Sequence, residues 1–217
     1  FSDYDQITTD TDLNSLHSDN RWQPLLEAIK SNKEKAEANL NKPLAQELDS
    51  IYTEDQQYRL MIDVYSGKYG NKSNKMNELW DTIREKDSIN LIKVKAILNK
   101  YGWLGPDVVG EKGNSALFLV IQHADIKTQE EYLPMMKEAV INKKARASEL
   151  ALLVDRIEMR NGRPQIYGSQ ITMKDGKNAI YQIIDEKNVN KRRAEVGLEP
   201  LENYVKQWNI DYKLPLE

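Results

Sequence analysis

The sequence predicts a mainly α-helical protein: a long antiparallel helix pair and a buried central helix, with one small β-hairpin near the C-terminus. Three observations carry that expectation. Apolar residues recur with alternating four- and three-residue spacing over two long stretches, Leu44–Tyr65 and Met76–Tyr101. The segment Asn114–Ala124 is apolar on nearly every side, as a buried helix must be. An Asp175-Gly176 pair, a hairpin turn signal, stands between two short β-like runs. Composition agrees, because 10 Gly and 7 Pro in 217 residues are too few for a turn-rich β-sandwich.

The N-terminal stretch, Phe1–Asp19, is polar. Asp10-Thr11-Asp12-Leu13-Asn14 begins like a calcium loop, but Ser15 replaces the required Gly and Arg21 stands where the bidentate Glu belongs. The stretch therefore reads as capped turns anchored by Leu13 and Leu16. A helix follows from Trp22, with Leu25, Leu26 and Ile29 inward and Pro24 in its first turn. Residues 1–42 are read as a capping or linker segment and residues 43–217 as a helical domain.

Two stripes define the next pair of helices. The first is Leu44, Leu48, Ile51, Asp55, Tyr58, Ile62 and Tyr65; the second is Met76, Trp80, Ile83, Asp87, Asn90, Val94, Ile97 and Tyr101. Gly67, Gly70 and several Asn mark the turn between them. Polar residues break both stripes. Reflection about residue 71 sets Asp55 opposite Asp87 and Tyr52 opposite Asn90, with Arg59 one turn beyond Asp55. Asp55, Arg59, Asp87 and Asn90 thus gather in or beside the core. Three readings stay open for them: an ion-pair network, a divalent-cation site, or the floor of a polar pocket. Arg59 already supplies a cation to the carboxylates, so the expectation is an ion-pair network at the base of a pocket, without metal.

Gly102–Gly113 reads as a structured loop, and the buried helix after it ends Gln122-His123-Ala124-Asp125. Thr128 and Glu131 fit a capping box for the following helix. Ser148–Arg160 is a further helix with Leu150, Val154 and Ile157 inward and Asp155-Arg156 on its flank. Gln165–Gln170 alternates as a strand, placing Gln165, Tyr167 and Ser169 on one face, and Ala179–Ile184 reads as its partner. Gly197 caps a short helix over Asn190–Val196, and Lys191-Arg192-Arg193 reads as a solvated run or one paired with Glu195.

Composition excludes much chemistry. The absence of Cys removes disulfides, thiolate metal sites and cysteine nucleophiles, and suits an oxidising compartment. A net charge of -3 offers no basic field for nucleic acid. No run of about 18 apolar residues exists to span a bilayer. Phosphate loops, serine-hydrolase elbows and zinc-protease helices are absent. The chain begins at Phe1, which suggests a processed or trimmed product. His123 is the sharpest single residue. It is either a general acid/base, oriented by Asp125 or Asp155 with Arg59 or Arg156 holding an anionic group, or a buried histidine that bonds a nearby Asp.

Asp55-Gln56-Gln57-Tyr58-Arg59, Asp87-Ser88-Ile89-Asn90, Gly102-Trp103-Leu104-Gly105, Gln122-His123-Ala124-Asp125, Asp155-Arg156, Gln165-Ile166-Tyr167-Gly168-Ser169-Gln170 and Arg192–Leu198 occur in that order. In this the stretch from Leu44 to about Tyr204 resembles an uncharacterised bacterial family, a domain of unknown function. Relatives often carry Thr in place of Ser169. The resemblance implies no activity, but its polar motif positions coincide with the stripe-breaking residues. Thr9–Lys30 is similar to the piece that follows tetratricopeptide-like helices in longer, often exported relatives. That implies an extracytoplasmic setting and a non-enzymatic binding or adaptor role. The partner would be a protein or a small polar or anionic ligand, without a cofactor. The alternative is a hydrolase or lyase with His123 as general acid/base. The candidate ligand-binding residues are Asp55, Arg59, Asp87, Asn90, Gln122, Arg156, Gln165, Tyr167 and Gln170.

Overall fold

The computed structural model describes residues 4–215; the first three residues of the N-terminal segment and the last two of the chain lie outside the described residues. Ten α-helices occur among them: α1 (Tyr4–Thr9), α2 (Trp22–Glu37), α3 (Lys42–Arg59), α4 (Ile62–Tyr69), α5 (Asn74–Tyr101), α6 (Pro106–His123), α7 (Ile126–Ile141), α8 (Ala147–Arg160), α9 (Val189–Glu195) and α10 (Leu201–Tyr204). Strands β1 (Ile171–Lys174) and β2 (Lys177–Ile180) form one antiparallel hairpin, with Ile171 opposite Ile180 and Lys174 opposite Lys177. The mainly helical fold with a single small hairpin is therefore as the sequence predicts. No helix is long and apolar enough to cross a membrane among the described residues.

In the N-terminal segment the capped turn is a 3-10 helix over Thr11–Leu16, its start closed by the Asp10 carboxylate on the Asp12 N–H. Leu16 does not anchor it, being 47% exposed. Among the described side chains of α2, Trp22 and Ile29 are buried, whereas Leu25 faces water. Apolar spacing alone did not reveal that only one edge of α2 is covered.

The helix pair is present, but its first arm is broken. α3 ends at Arg59 and the chain resumes as α4 after Leu60-Met61. The break lets Tyr58, Met61, Ile62 and Tyr65 close over Met76, Leu79 and Ile83 of α5 as a small separate cluster. On α5, Trp80 and Tyr101 of the expected stripe turn outward while Met76, Ile83, Asn90, Val94 and Ile97 are buried, joined by Leu79 and Leu98. Each lies one position from the expected stripe, the slip that a 3.6-residue period allows over 28 residues.

α6 is the central element. It begins at Pro106, earlier than expected, and bends at Gly110, where φ is +74°. Ala116, Leu117, Phe118, Val120 and Ile121 are all buried, so its second half is sheathed on every side by α3, α5, α7 and α8. A side chain at Gly113 would meet the Cβ atoms of Leu48 and Val109 at 3.2 and 3.1 Å, so the close approach of α3 and α6 requires glycine there. This burial fixes the place of the helix's last turn, and with it His123.

The C-terminal part departs from the sequence reading in two ways. The strands are 171–174 and 177–180, not 165–170 and 179–184, with Asp175 and Gly176 both at positive φ in the turn. Gln165–Gln170 is a loop, for a reason that lies in the site. Arg193 is not solvated: it is fully buried and stacks on the Tyr204 ring at 4.7 Å, while Arg192 donates to the carbonyls of Ile166 and Ile184. Val189, Leu201 and Val205 make the apolar cluster beneath the hairpin.

Candidate functional site

Two buried carboxylates organise the polar interior, and they do different work. Asp55 faces inward from α3 because Leu48 and Ile51 on the same stripe are completely buried. Its Oδ1 accepts from His123 Nδ1 at 2.9 Å, and its Oδ2 accepts from Gln56 Nε2 at 2.7 Å. Arg59 Nη1 donates to the Asp55 carbonyl at 2.9 Å and lies 3.6 Å from the carboxylate. Arg59 Nη2 reaches both oxygens of Asp87 on α5, at 2.9 and 2.8 Å. Arg59 thus joins the two helices between the two carboxylates. Burial pushes the Asp55 carboxyl up; the hydrogen bond and charge of His123, the Arg59 charge and the Gln56 amide outweigh it, and Asp55 sits below the usual carboxylate range.

The arrangement sets the state of the imidazole. An ionised carboxylate only accepts, so Nδ1 carries a hydrogen and the neutral ring keeps its lone pair on Nε2. Nε2 has no protein partner among the described residues. His123 lines an open cavity of about 300 Å³ with Arg84, Asp87, Ser88, Leu91 and Asp125 at its rim. That volume suits a small ligand. Two larger hollows, of about 540 and 580 Å³, lie where α2 meets the starts of α3 and α6, and neither contains a histidine or a buried carboxylate.

The second carboxylate, Asp155 on α8, is fully buried. Its oxygens accept backbone N–H groups from Ile166 (2.7 Å), Tyr167 (3.0 and 3.2 Å) and Ser169 (2.9 Å). Burial pushes its carboxyl up, against the pull of those donors. Gln165 finishes the wrap: its Oε1 accepts the Gln170 N–H, and its Nε2 donates to the carbonyls of Gln170 and Tyr181. Backbone pairing with 181–184 survives only at the two ends, through Gln165 and the Gln170 carbonyl, while Asp155 and Gln165 take the N–H groups of Ile166, Tyr167, Ser169 and Gln170, which is why 165–170 is a loop. Gly168 is held at φ +73°, where a Cβ would press within 3.0 Å of Ile183 and Leu201.

These contacts sort the sequence candidates. Asp55, Arg59, Asp87 and His123 converge. Asp125 and Asp155 do not orient His123; Asp55, from 68 residues away, does. Asp125 instead caps α7 by accepting the Thr128 N–H at 2.8 Å, displacing the expected Thr128 cap, and that hydrogen bond holds its carboxyl below the usual range. Asn90 is fully buried with neither side-chain atom paired. Gln165 and the Tyr167 backbone belong to the Asp155 wrap. Gln122 is buried, its carbonyl accepting from Gln129 Nε2 and Arg156 Nη1. Gln170 Oε1 accepts from Arg156 Nε at 3.3 Å. Gln56 was passed over in the sequence, although it neighbours the stripe-breaking Asp55.

Asp55, Asp87 and His123 also offer ligand atoms within 4.8 Å of one another. A divalent cation there would have to displace Arg59 from the carboxylates it already neutralises.

No curated protein and no solved structure matches the chain. The motif-bearing segment that builds this site falls inside a single family match over residues 42–216, and the protein belongs to DUF6624, a family of unknown function.

Proposed function

We propose that the cavity beside His123 is the active site of an acid/base enzyme, a hydrolase or lyase acting on a small polar molecule. One observation carries the reading: a carboxylate 1% exposed, Asp55, holds His123 Nδ1 at 2.9 Å, while the ring lines an open cavity. A histidine that merely fills a core has no need of an oriented lone pair beside solvent. Nε2 takes a proton from water or substrate, and the Asp55 charge stabilises the imidazolium that forms. Arg59 keeps Asp55 ionised and fixes its distance from Asp87.

The test is a panel of ester, amide, phosphoester and glycoside substrates assayed with wild type and with His123→Asn. General acid/base catalysis predicts a loss of about 10²–10⁴-fold on the substrate that turns over. A turnover that survives His123→Asn unchanged removes the reading.

The same cavity supports a second reading, a binding or adaptor domain acting outside the cytoplasm, in which the ligand is held and released unaltered. Its support is the charge-saturated Asp55–Arg59–Asp87 floor together with a chain free of cysteine. A ligand bound by wild type and recovered chemically unchanged after incubation distinguishes it from the first.

A further inference from the structure

We infer that Arg156, and not Arg59, is an anion-binding residue of this protein, and that the ligand carries a carboxylate or phosphate group seated on the Arg156 guanidinium at the carbonyl end of α6, the helix that carries His123. The inference rests on the acid/base reading for the location of the reacting group, but not for the binding itself.

The geometry separates the two arginines. Arg59 is spent: both of its terminal nitrogens are committed to Asp55 and Asp87. Arg156 has no carboxylate within ion-pair distance among the described residues. It gives Nη1 to the Gln122 carbonyl at 3.0 Å and Nε to Gln170 Oε1 at 3.3 Å, both neutral acceptors. Its Nη2 has no hydrogen-bond partner among the described residues, and the side chain is only partly buried. Arg160, also without a carboxylate, donates to the Ala124 carbonyl at 2.7 Å. The two guanidinium groups therefore hold the backbone at the carbonyl end of α6, one on the residue before His123 and one on the residue after.

Capping the carbonyl end of α6 accounts for one donor from each arginine. It does not account for a half-buried guanidinium left without a counter-charge. Such a group is expensive to desolvate unless an anion completes it. Arg59 is held by Asp55 and Asp87, whereas neither Arg156 nor Arg160 has a carboxylate within ion-pair distance among the described residues. Burial, then repulsion from Arg160 and Arg59, pulls Arg156 down to about 10, the mark of a cation whose surroundings hold too little negative charge. A planar fork with an open end is suited to two oxygens of a carboxylate or phosphate.

The probes are inorganic phosphate and acetate, each titrated against the full chain at ionic strength fixed with chloride, with melting temperature and calorimetric Kd as readouts. Wild type should be stabilised saturably by at least one of them. A response to phosphate alone assigns a phosphate-bearing ligand, and one to acetate alone a carboxylate. Arg156→Met should abolish the response. Should that variant fail to fold, Arg156→Lys keeps the charge on the α6 carbonyls but loses the fork, and should weaken binding roughly tenfold. Arg163→Met, on an exposed arginine paired with Glu158, should leave it unchanged. Equal stabilisation of wild type and both Arg156 variants, or no response of wild type to either anion, overturns the inference. His123→Asn should bind the anion as wild type does. Its loss of turnover concerns the acid/base reading alone, so the two can fail separately.

Discussion

Asp55 and Asp155 are both buried, yet the acid/base reading gives chemistry to one and architecture to the other, and the difference lies in their partners. Asp155 is surrounded by backbone N–H groups of a single loop, which cannot leave without unfolding it. Asp55 is surrounded by side chains, Gln56, Arg59 and His123, and one of them lines an open cavity. A buried carboxylate with backbone partners pins the fold. One with side-chain partners holds groups that can titrate and bind.

The sharpest way to break this contrast is Asp155→Ala. Three backbone N–H groups would lose their acceptor in a buried place, at about 1–3 kcal/mol each. Urea unfolding should show a loss of at least about 3 kcal/mol, more than any change at Asp55, Arg59 or Asp125, and increased protease cleavage within 165–170. An unchanged denaturation midpoint would remove the structural half of the comparison.

Next comes Asp55→Asn, which keeps the shape of the side chain and removes its charge. His123 and Arg59 both retain some contact with water, and Arg59 keeps Asp87, so the cost should be about 1–3 kcal/mol rather than that of a fully sealed pair. The native Asp55 carboxyl lies below its unfolded value of about 3.9. A depressed acid contributes its full stability above the unfolded value and loses it as pH falls through the native one. The gap between wild type and Asp55→Asn should therefore be constant near neutrality and close below about pH 4. A gap independent of pH would show that the charge on Asp55 contributes nothing.

Arg59→Met sharpens the comparison differently, by asking what else the side-chain cluster can hold. Without the guanidinium, Asp55 and Asp87 repel each other across α3 and α5, and stability should fall by about 2 kcal/mol. The three ligand atoms of Asp55, Asp87 and His123 are then unblocked. Zn²⁺ should raise the melting temperature of Arg59→Met while leaving wild type unmoved. Equal responses would show that Arg59 does not guard the site.

How much of this was legible in the sequence follows from the range of each interaction. Periodicity showed the helices, and the mirror about residue 71 brought Asp55 to Asp87 through Arg59, because an antiparallel pair obeys local geometry. It said nothing of His123 meeting Asp55, since no period relates α3 to the end of α6. A strand-like alternation at 165–170 concealed a loop that pairs with 181–184 only at its ends, because alternation counts side chains and cannot see that Asp155 and Gln165 have taken the N–H groups between them. Arg193 looked like a surface residue in a basic run. The available signal was Val189, four residues earlier on the same helix face and equally buried, which places the arginine stem inside.

The smallest expected effect belongs to Asp125, the residue the sequence put closest to His123. Its carboxylate is exposed, caps α7 through the Thr128 N–H, and borders the cavity without bonding the imidazole. Asp125→Ala should lower the melting temperature by less than any change above, and Asp125→Ser should restore it, because serine supplies the cap oxygen without the charge. Turnover and anion affinity should remain within error of wild type in both variants. If Asp125→Ala instead lost turnover as His123→Asn does, and Asp125→Ser failed to recover it, the carboxylate at the rim would be part of the chemistry. The division between a backbone-held and a side-chain-held aspartate would then no longer separate structure from function in this protein.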